Sequence, residues 1–378
     1  MSASLGVAAF IGTLLVMVVV HESGHFLAAK SFGIKVEEFF VGFGPRLFAR
    51  RRGETTYGVK AVLLGGYVKI AGMNPWQTVP ESDRPRTYGA KPAWQRAILL
   101  VAGSATHLVL ATVILAGMLM LIGRPLGPST ELASVTAALP GVKAPAAAAG
   151  LRPGDTIVAL AGEPTTSWSE VRKAIRARPD QVVEVEVLRG GRPLRFSVHL
   201  ASARPPESSS ARPIGFLGVE PEFRYRRLNP VAAVASGAGL TGRLVAASVQ
   251  GIGTIFSPEG LGRVFSALGH SGQRSIEEPI GLVGGARLAG QAASAGEIES
   301  LMLFLTGFIV FVGVINMAPL PPLDGGHLLV LLLEKISGRT IDMRKVVPVA
   351  AFVVSLFVAL SVALLFLDVV RPVQNPFQ

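Results

Sequence analysis

Residues 21–25 read His21-Glu22-Ser23-Gly24-His25, an H-E-x-x-H motif set in an apolar stretch. On a helix, the i, i+4 spacing puts both imidazoles on one face, where they can share one metal ion. Glu22 then lies beside the ion, placed to take a proton from a bound water. The chain holds six His and nineteen Glu, so about 0.005 chance matches are expected, and the signal is strong. The bland alternative is a polar cluster that ties helices together. Three ionisable groups within a membrane helix are costly without a function or partners, which argues against it.

A catalytic zinc keeps three protein ligands and one open position. The third ligand must come from elsewhere in the chain, and the candidates are His107, Asp324, His327, Glu334 and Asp368. Asp324 is best placed. It follows Pro319-Leu320-Pro321-Pro322, where a helix must break, and precedes Gly325-Gly326, which lets the backbone bend. Asp368 reads as the simple end of an apolar span, and His107 as a hydrogen-bonding group between helices or one lining the site. There is no cysteine, so disulfides, a thiolate nucleophile and Cys-ligated metals are excluded.

The elements that must position these residues are membrane helices. Half of the 378 residues are hydrophobic and only 16% are charged, against about a quarter in soluble domains. Mean hydropathy is +0.49. Such a chain is not disordered, collagenous or a coiled coil. Four stretches reach the roughly 20 apolar residues a bilayer requires: 1–29, 97–123, 301–323 and 346–367. The first positive charge, Lys30, follows the first apolar run, whereas a signal peptide carries one before it. The stretch 228–258 is weakly apolar and interrupted by Arg243, so it is expected to lie at the interface or in a core rather than to span.

Between the spans, 30–96 carries twelve Lys and Arg, including Arg50-Arg51-Arg52, and 324–345 carries four. The positive-inside rule places both in the cytoplasm and puts both termini and 124–300 outside. The net charge of +11 is thereby assigned to topology and anionic lipid, with no nucleic-acid partner. Within 30–96, alternation over 56–70 around Leu64-Gly65-Gly66-Tyr67 predicts a membrane-associated β-hairpin, preceded by a loop at Val41-Gly42-Phe43-Gly44-Pro45. Residues 128–202 read as a small α/β domain. A strand follows Gly154-Asp155, a helix begins after Ser167 with Glu170 completing a capping box, and Gly190-Gly191 joins two alternating strands. This domain resembles a PDZ domain. The segment 203–300 reads as a linker followed by interfacial helices.

The residues 21–25, Gly42-Phe43-Gly44, Leu64-Gly65-Gly66-Tyr67 and Asn316-Met317-Ala318-Pro319-Leu320-Pro321-Pro322-Leu323-Asp324-Gly325 occur in an order that resembles the bacterial site-2 proteases, the RseP-like intramembrane zinc metalloproteases. The resemblance covers nearly the whole chain. It implies Zn2+ held by His21, His25 and Asp324, with Glu22 as general base. It also implies substrate binding by Asn316 and by the Gly65-Gly66 segment of a membrane-reentrant hairpin. The implied fold is a polytopic α-helical membrane protein with four transmembrane helices, the hairpin, and one inserted extracytoplasmic PDZ domain. The implied substrates are single-pass membrane regulators, for example anti-sigma factors, cut in the cell membrane. One PDZ domain is evident where RseP has two, and Gly103-Ser104-Ala105-Thr106-His107 replaces the family's frequent Gly-Pro-x-x-Asn, which leaves the role of His107 open. A non-catalytic PDZ scaffold is the competing reading. Loss of Glu22 or of a ligand would favour it, and all four residues are present.

Overall fold

The computed structural model describes the chain apart from residues 1, 75, 136–137, 140–141, 144, 204–212, 270–273, 275–277 and 378. Much of the expected linker, at 204–212, therefore lies outside the described residues. In chain order the elements are α1 (Ala3–Ser31), β1 (Val36–Arg52), β2 (Thr55–Ile70), α2 (Ala93–Leu121), β3 (Arg124–Val135), β4 (Ala138–Leu139), β5 (Val142–Lys143), α3 (Pro145–Ala149), β6 (Thr156–Leu160), β7 (Glu163–Pro164), α4 (Trp168–Arg176), β8 (Val182–Arg189), β9 (Arg192–His199), β10 (Ala201–Ala203), β11 (Ile214–Phe216), β12 (Val219–Arg226), α5 (Pro230–Ile255), α6 (Pro258–Gly269), α7 (Leu282–Ala295), α8 (Ile298–Asn316), α9 (Asp324–Ser337) and α10 (Val347–Val370). They form two compact units, one of Met1–Met118 with Asn229–Gln378, the other of Leu119–Leu228.

The first unit is helical, with one small sheet. Among the described residues, five helices are long and apolar enough to cross a membrane: α1, α2, α5, α8 and the stretch Met343–Val370 that contains α10. Four were expected from the sequence, and α5 is the addition. Its five glycines and Arg243 make the sequence look interrupted. Each glycine costs a helix only about 1 kcal/mol relative to alanine, and one of them is used in packing. A Cβ on Gly237 would lie 3.0 Å from the Thr112 carbonyl of α2. Close helix crossings recur elsewhere. A Cβ on Gly6 would lie 2.2 Å from the Ala289 carbonyl of α7, and one on Gly24 would lie 2.4 Å from the Ala102 carbonyl of α2. Small residues let the backbones meet where lipid supplies no hydrophobic drive.

The sheet in 30–96 differs from expectation. The 56–70 stretch is a single strand, β2, and its hairpin partner is β1. The predicted loop at 41–45 lies inside β1, which turns there through Gly42 and Gly44, with φ of +90° and +82°. Glycine tolerates that conformation, so the strand folds back instead of ending. As a result β1 and β2 pair three times. Arg46 to Arg52 pairs with Lys60 to Thr55, Glu38 to Val41 pairs with Thr56 to Val59, and Val36 to Val41 also pairs with Ile70 to Gly66. The order across the sheet is 46–52, 55–60, 36–41, 66–70, with 66–70 at an edge.

The third predicted span also divides. Helix α8 ends at Asn316 rather than continuing to 323, and α9 starts at Asp324 and runs to Ser337. The break is the proline run, and the restart depends on Gly325 and Gly326. A Cβ at either position would lie 2.1 Å from the Met317 carbonyl or 2.3 Å from Pro321 N. Asp368 does more than end a span. It is buried beside Arg274, whose Nη1 donates to it at 3.2 Å, and it accepts from the backbone N–H of Gly284 at 2.7 Å, at the start of α7.

The second unit is an antiparallel sheet in the order β12-β3-β6-β8-β9, with β7 on the edge of β6. The sheet and α4 share a core that includes Leu132, Ile157, Leu160, Val171, Val185 and Leu200. The capping box on Ser167 and Glu170 is formed. Gly190 and Gly191 turn β8 into β9 with φ of +58° and +79°. Asp155 is fully buried. It accepts from Arg189 Nε at 2.7 Å and from the Arg152 N–H at 2.8 Å. Burial pushes its carboxyl up, but Arg189 and the Arg152 N–H outweigh that and hold it below the ordinary carboxylate value.

Candidate metal centre

The site is built on three helices. Helix α1 presents His21 and His25 on one face, as the spacing requires. Helix α2 crosses α1 at Gly24, and Thr106 fixes the crossing by donating its hydroxyl to the Val20 carbonyl at 3.0 Å. Helix α9 brings Asp324 in its first turn, where a carboxylate is favoured by the helix N-terminus.

His21 Nε2 and His25 Nε2 lie 3.2 Å apart, and they lie 3.4 and 3.3 Å from Asp324 Oδ2. Asp324 Oδ2 is buried and has no hydrogen-bond partner. His25 Nδ1 donates to the Leu99 carbonyl at 2.8 Å, so its Nε2 carries a lone pair toward the same point. Lone pairs converging in a buried space call for a cation. A tetrahedral zinc with bonds of about 2.0–2.1 Å needs ligand atoms about 3.3–3.4 Å apart, which matches this spacing. The residues fit zinc, and the donor set of two imidazoles and one carboxylate is that of a catalytic site with an open position. Among the described residues, these three form the cluster of metal-binding side chains.

The other candidates are elsewhere engaged. Glu334 receives Arg96 Nη2 at 2.7 Å and accepts from the Ile341 N–H. His327, one turn beyond Asp324, lines a cavity of about 140 Å³ with Tyr88, Arg96 and Glu334. Asp368 belongs to the Arg274 pair. His107 is buried next to the ligands, with its Nε2 at 3.1 Å from His21 Nδ1 and its Nδ1 at 2.8 Å from the Ile309 carbonyl.

Glu22 is half-buried on α1, beside the sheet edge. It accepts a hydrogen bond from the backbone N–H of Val68, and a Cβ on Gly66 would lie 3.0 Å from its Cγ. Of the two glycines proposed to meet substrate, Gly66 therefore abuts the general-base candidate. Gly65 packs on Phe43 instead, with a Cβ position 2.7 Å from that ring. Asn316 is the last residue of α8 and is half-buried.

Sequence reasoning missed the part played by Gly103. A Cβ there would lie 2.3 Å from His25 Nε2 and 2.8 Å from His21 Cε1, so the α2 backbone is flush against both imidazoles. The only local sign is a glycine in the middle of an apolar helix, where alanine would be favoured by about 1 kcal/mol.

A His-Glu-x-x-His helix closed by an aspartate from a distant helix has the donor set that a metallohydrolase centre requires, here set in membrane-length helices. The sequence profile of peptidase family M50 matches residues 9–362, and the chain belongs to that family. It is 32% identical over 371 residues to the zinc metalloprotease Rip1 of Mycolicibacterium smegmatis, covering 91% of this chain and 89% of that protein. It is 30% identical over 404 residues to Rip1 of Mycobacterium tuberculosis, covering 98% of each. A putative zinc metalloprotease of Agrobacterium fabrum is 30% identical over 347 residues, covering 87% of this chain and 86% of that protein.

Proposed function

We propose that this M50 zinc metalloprotease hydrolyses peptide bonds within the membrane-spanning segments of other proteins, single-pass regulators such as anti-sigma factors among them. The observation that carries the reading is the convergence of His21, His25 and Asp324 beside Glu22 on helices of membrane length. His21, His25 and Asp324 would hold Zn2+, which would supply Lewis-acid polarisation of the scissile carbonyl and of an attacking water. Glu22 is the residue placed to take a proton from the attacking water and deliver it to the leaving amine.

A substrate helix has its peptide groups bonded internally and must unwind before attack. The strand edge at 66–70 offers backbone groups to the unwound segment, and strand addition there brings a peptide alongside Glu22. Asn316 is proposed to hold the substrate backbone from the α8 side. The test is cleavage of reporter spans in proteoliposomes, one rich in Gly and Ser near its centre and one of uninterrupted leucine. The expected result is a cut inside the first span, little cutting of the second, and loss of both on chelation. Cuts confined to residues outside the bilayer would overturn the assignment.

The proposed topology has four crossings, made by α1, α2, α8 with α9 as one broken helix, and α10. The Arg96–Glu334 pair supports it by putting the end of α9 level with the start of α2. Helix α5 is proposed to lie along the membrane. Near its start it packs on Thr112 and Ala116, toward the end of α2, and Thr254 and Ile255 near its other end face Leu364, Leu367 and Arg371 at the end of α10. Those two helix ends lie on one side in a four-crossing arrangement, opposite the basic segment 30–96. Both termini and the Leu119–Leu228 unit, read as a PDZ domain, are then extracytoplasmic in a bacterial cell membrane. A protease site or tag at either terminus is expected to be reachable in intact cells, and one beside Arg51 only after lysis. An accessible Arg51 site would reverse the orientation.

A further inference from the structure

His107 is not among the metal-binding trio, yet it is 1% exposed and touches His21 directly. We propose that His107 is a positioning residue that fixes the tautomer of His21, so that His21 offers a lone pair and not a proton to the metal. This rests on the zinc reading of the trio.

The argument runs outward from a group with no choice. The Ile309 carbonyl can only accept, so His107 Nδ1, 2.8 Å away, carries the proton that it donates there. A neutral imidazole with its proton on Nδ1 has a lone pair on Nε2. That Nε2 faces His21 Nδ1 at 3.1 Å, so His21 must donate. Its Nδ1 then holds the proton and its Nε2 the lone pair. The bond runs from His21 through His107 to the backbone of α8, in one direction.

The space for this relay is built in. A Cβ on Gly313 would lie 2.8 Å from His107 Cβ and 3.3 Å from its Nδ1, so only glycine lets the ring reach α8. His25 is oriented independently, by Leu99, and needs no such intermediary. Without His107, the Nδ1 of His21 would face no acceptor in a buried space. The imidazole proton would then favour Nε2, where Asp324 Oδ2 lies 3.4 Å away and can accept it. That proton would occupy the direction meant for the metal.

The test uses the full-length protein in detergent, with zinc affinity measured by competition against a chromogenic chelator. His107→Phe keeps the ring's size and removes both nitrogens. His107→Gln keeps a carbonyl oxygen able to reach toward His21. The expected result is a loss of about 10–100-fold in zinc affinity for the Phe variant, the usual effect of removing a group that orients a metal-bound His. The Gln variant should stay within about threefold of wild type. Thermal unfolding of the metal-free proteins checks that all three are folded. Wild-type zinc affinity in the Phe variant overturns the proposal. So does equal weakening in the Phe and Gln variants, which would show that restoring an acceptor opposite His21 does not restore zinc binding.

Discussion

Replacing Gly103 with valine is expected to strip zinc from the protein although every proposed ligand residue is retained. The Cβ of any side chain there would lie 2.3 Å from His25 Nε2. That imidazole cannot swing aside without breaking its 2.8 Å bond to the Leu99 carbonyl, and His21 Cε1 blocks the other direction at 2.8 Å. The neighbours are a pinned ring and backbone, so relief must come from separating α1 and α2. Their crossing is close-packed at Gly24 and tied by Thr106. Either response pulls the two imidazoles away from Asp324. We expect metal content in the purified variant to fall below about a tenth of the wild-type value, and proteolysis to vanish with it, since displaced ligands lose binding by 10–100-fold or more. Elemental analysis of the detergent-solubilised protein reads the first effect. Wild-type zinc content in the valine variant would show that α2 does not wall the site as described.

Glu22→Gln is expected to do the opposite, retaining zinc and losing turnover. The amide keeps the size of the carboxylate and can still accept from the Val68 N–H, but it cannot take a proton from water at neutral pH. Removing a positioned general base costs about 10²–10⁴-fold in rate. Cleavage of the Gly/Ser-rich reporter span should fall by that factor, with metal content unchanged. In cells, uncut spans of the natural substrates should accumulate on the inactive protein, and comparing membrane proteins with and without the substitution identifies them. A variant that cleaves at the wild-type rate would remove Glu22 from the chemistry.

These two positions show what a sequence discloses about a site. Glu22, His21 and His25 are legible because their geometry is local, fixed by the helical repeat. Asp324 is legible because prolines and glycines mark an irregular backbone where membrane helices normally continue. Gly103 is different. Its importance exists only because α2 crosses α1 at Gly24, a contact between segments 79 positions apart, and nothing in its own neighbourhood encodes that. The direction of the His107 relay is hidden for the same reason, since it is set by a carbonyl on α8.

The fold shows the same division. The capping box at Ser167 and the turn at Gly190-Gly191 are local signals and are formed where the spacing places them. The spacing of Gly42 and Gly44 predicts a loop before the hairpin, yet they bend a strand that continues, because the same φ serves a turn and a bulge. In α5, Gly237 looks like a break but serves packing, and a single arginine does not disqualify a helix of 26 residues.

The division of the ligands between residues 21–25 and residue 324 bears on biosynthesis. About 300 residues separate the two halves of the centre. A nascent chain with α1 and α2 already inserted holds two histidines and the base, but lacks the carboxylate that closes the set. With His21, His25 and Asp324 as the proposed ligands, the metal set is complete only once α9 has been made and has docked. On the proposed ligand set, a chain whose synthesis stops before α9 lacks the carboxylate, so a half-made protease would be unable to close its metal site in the membrane.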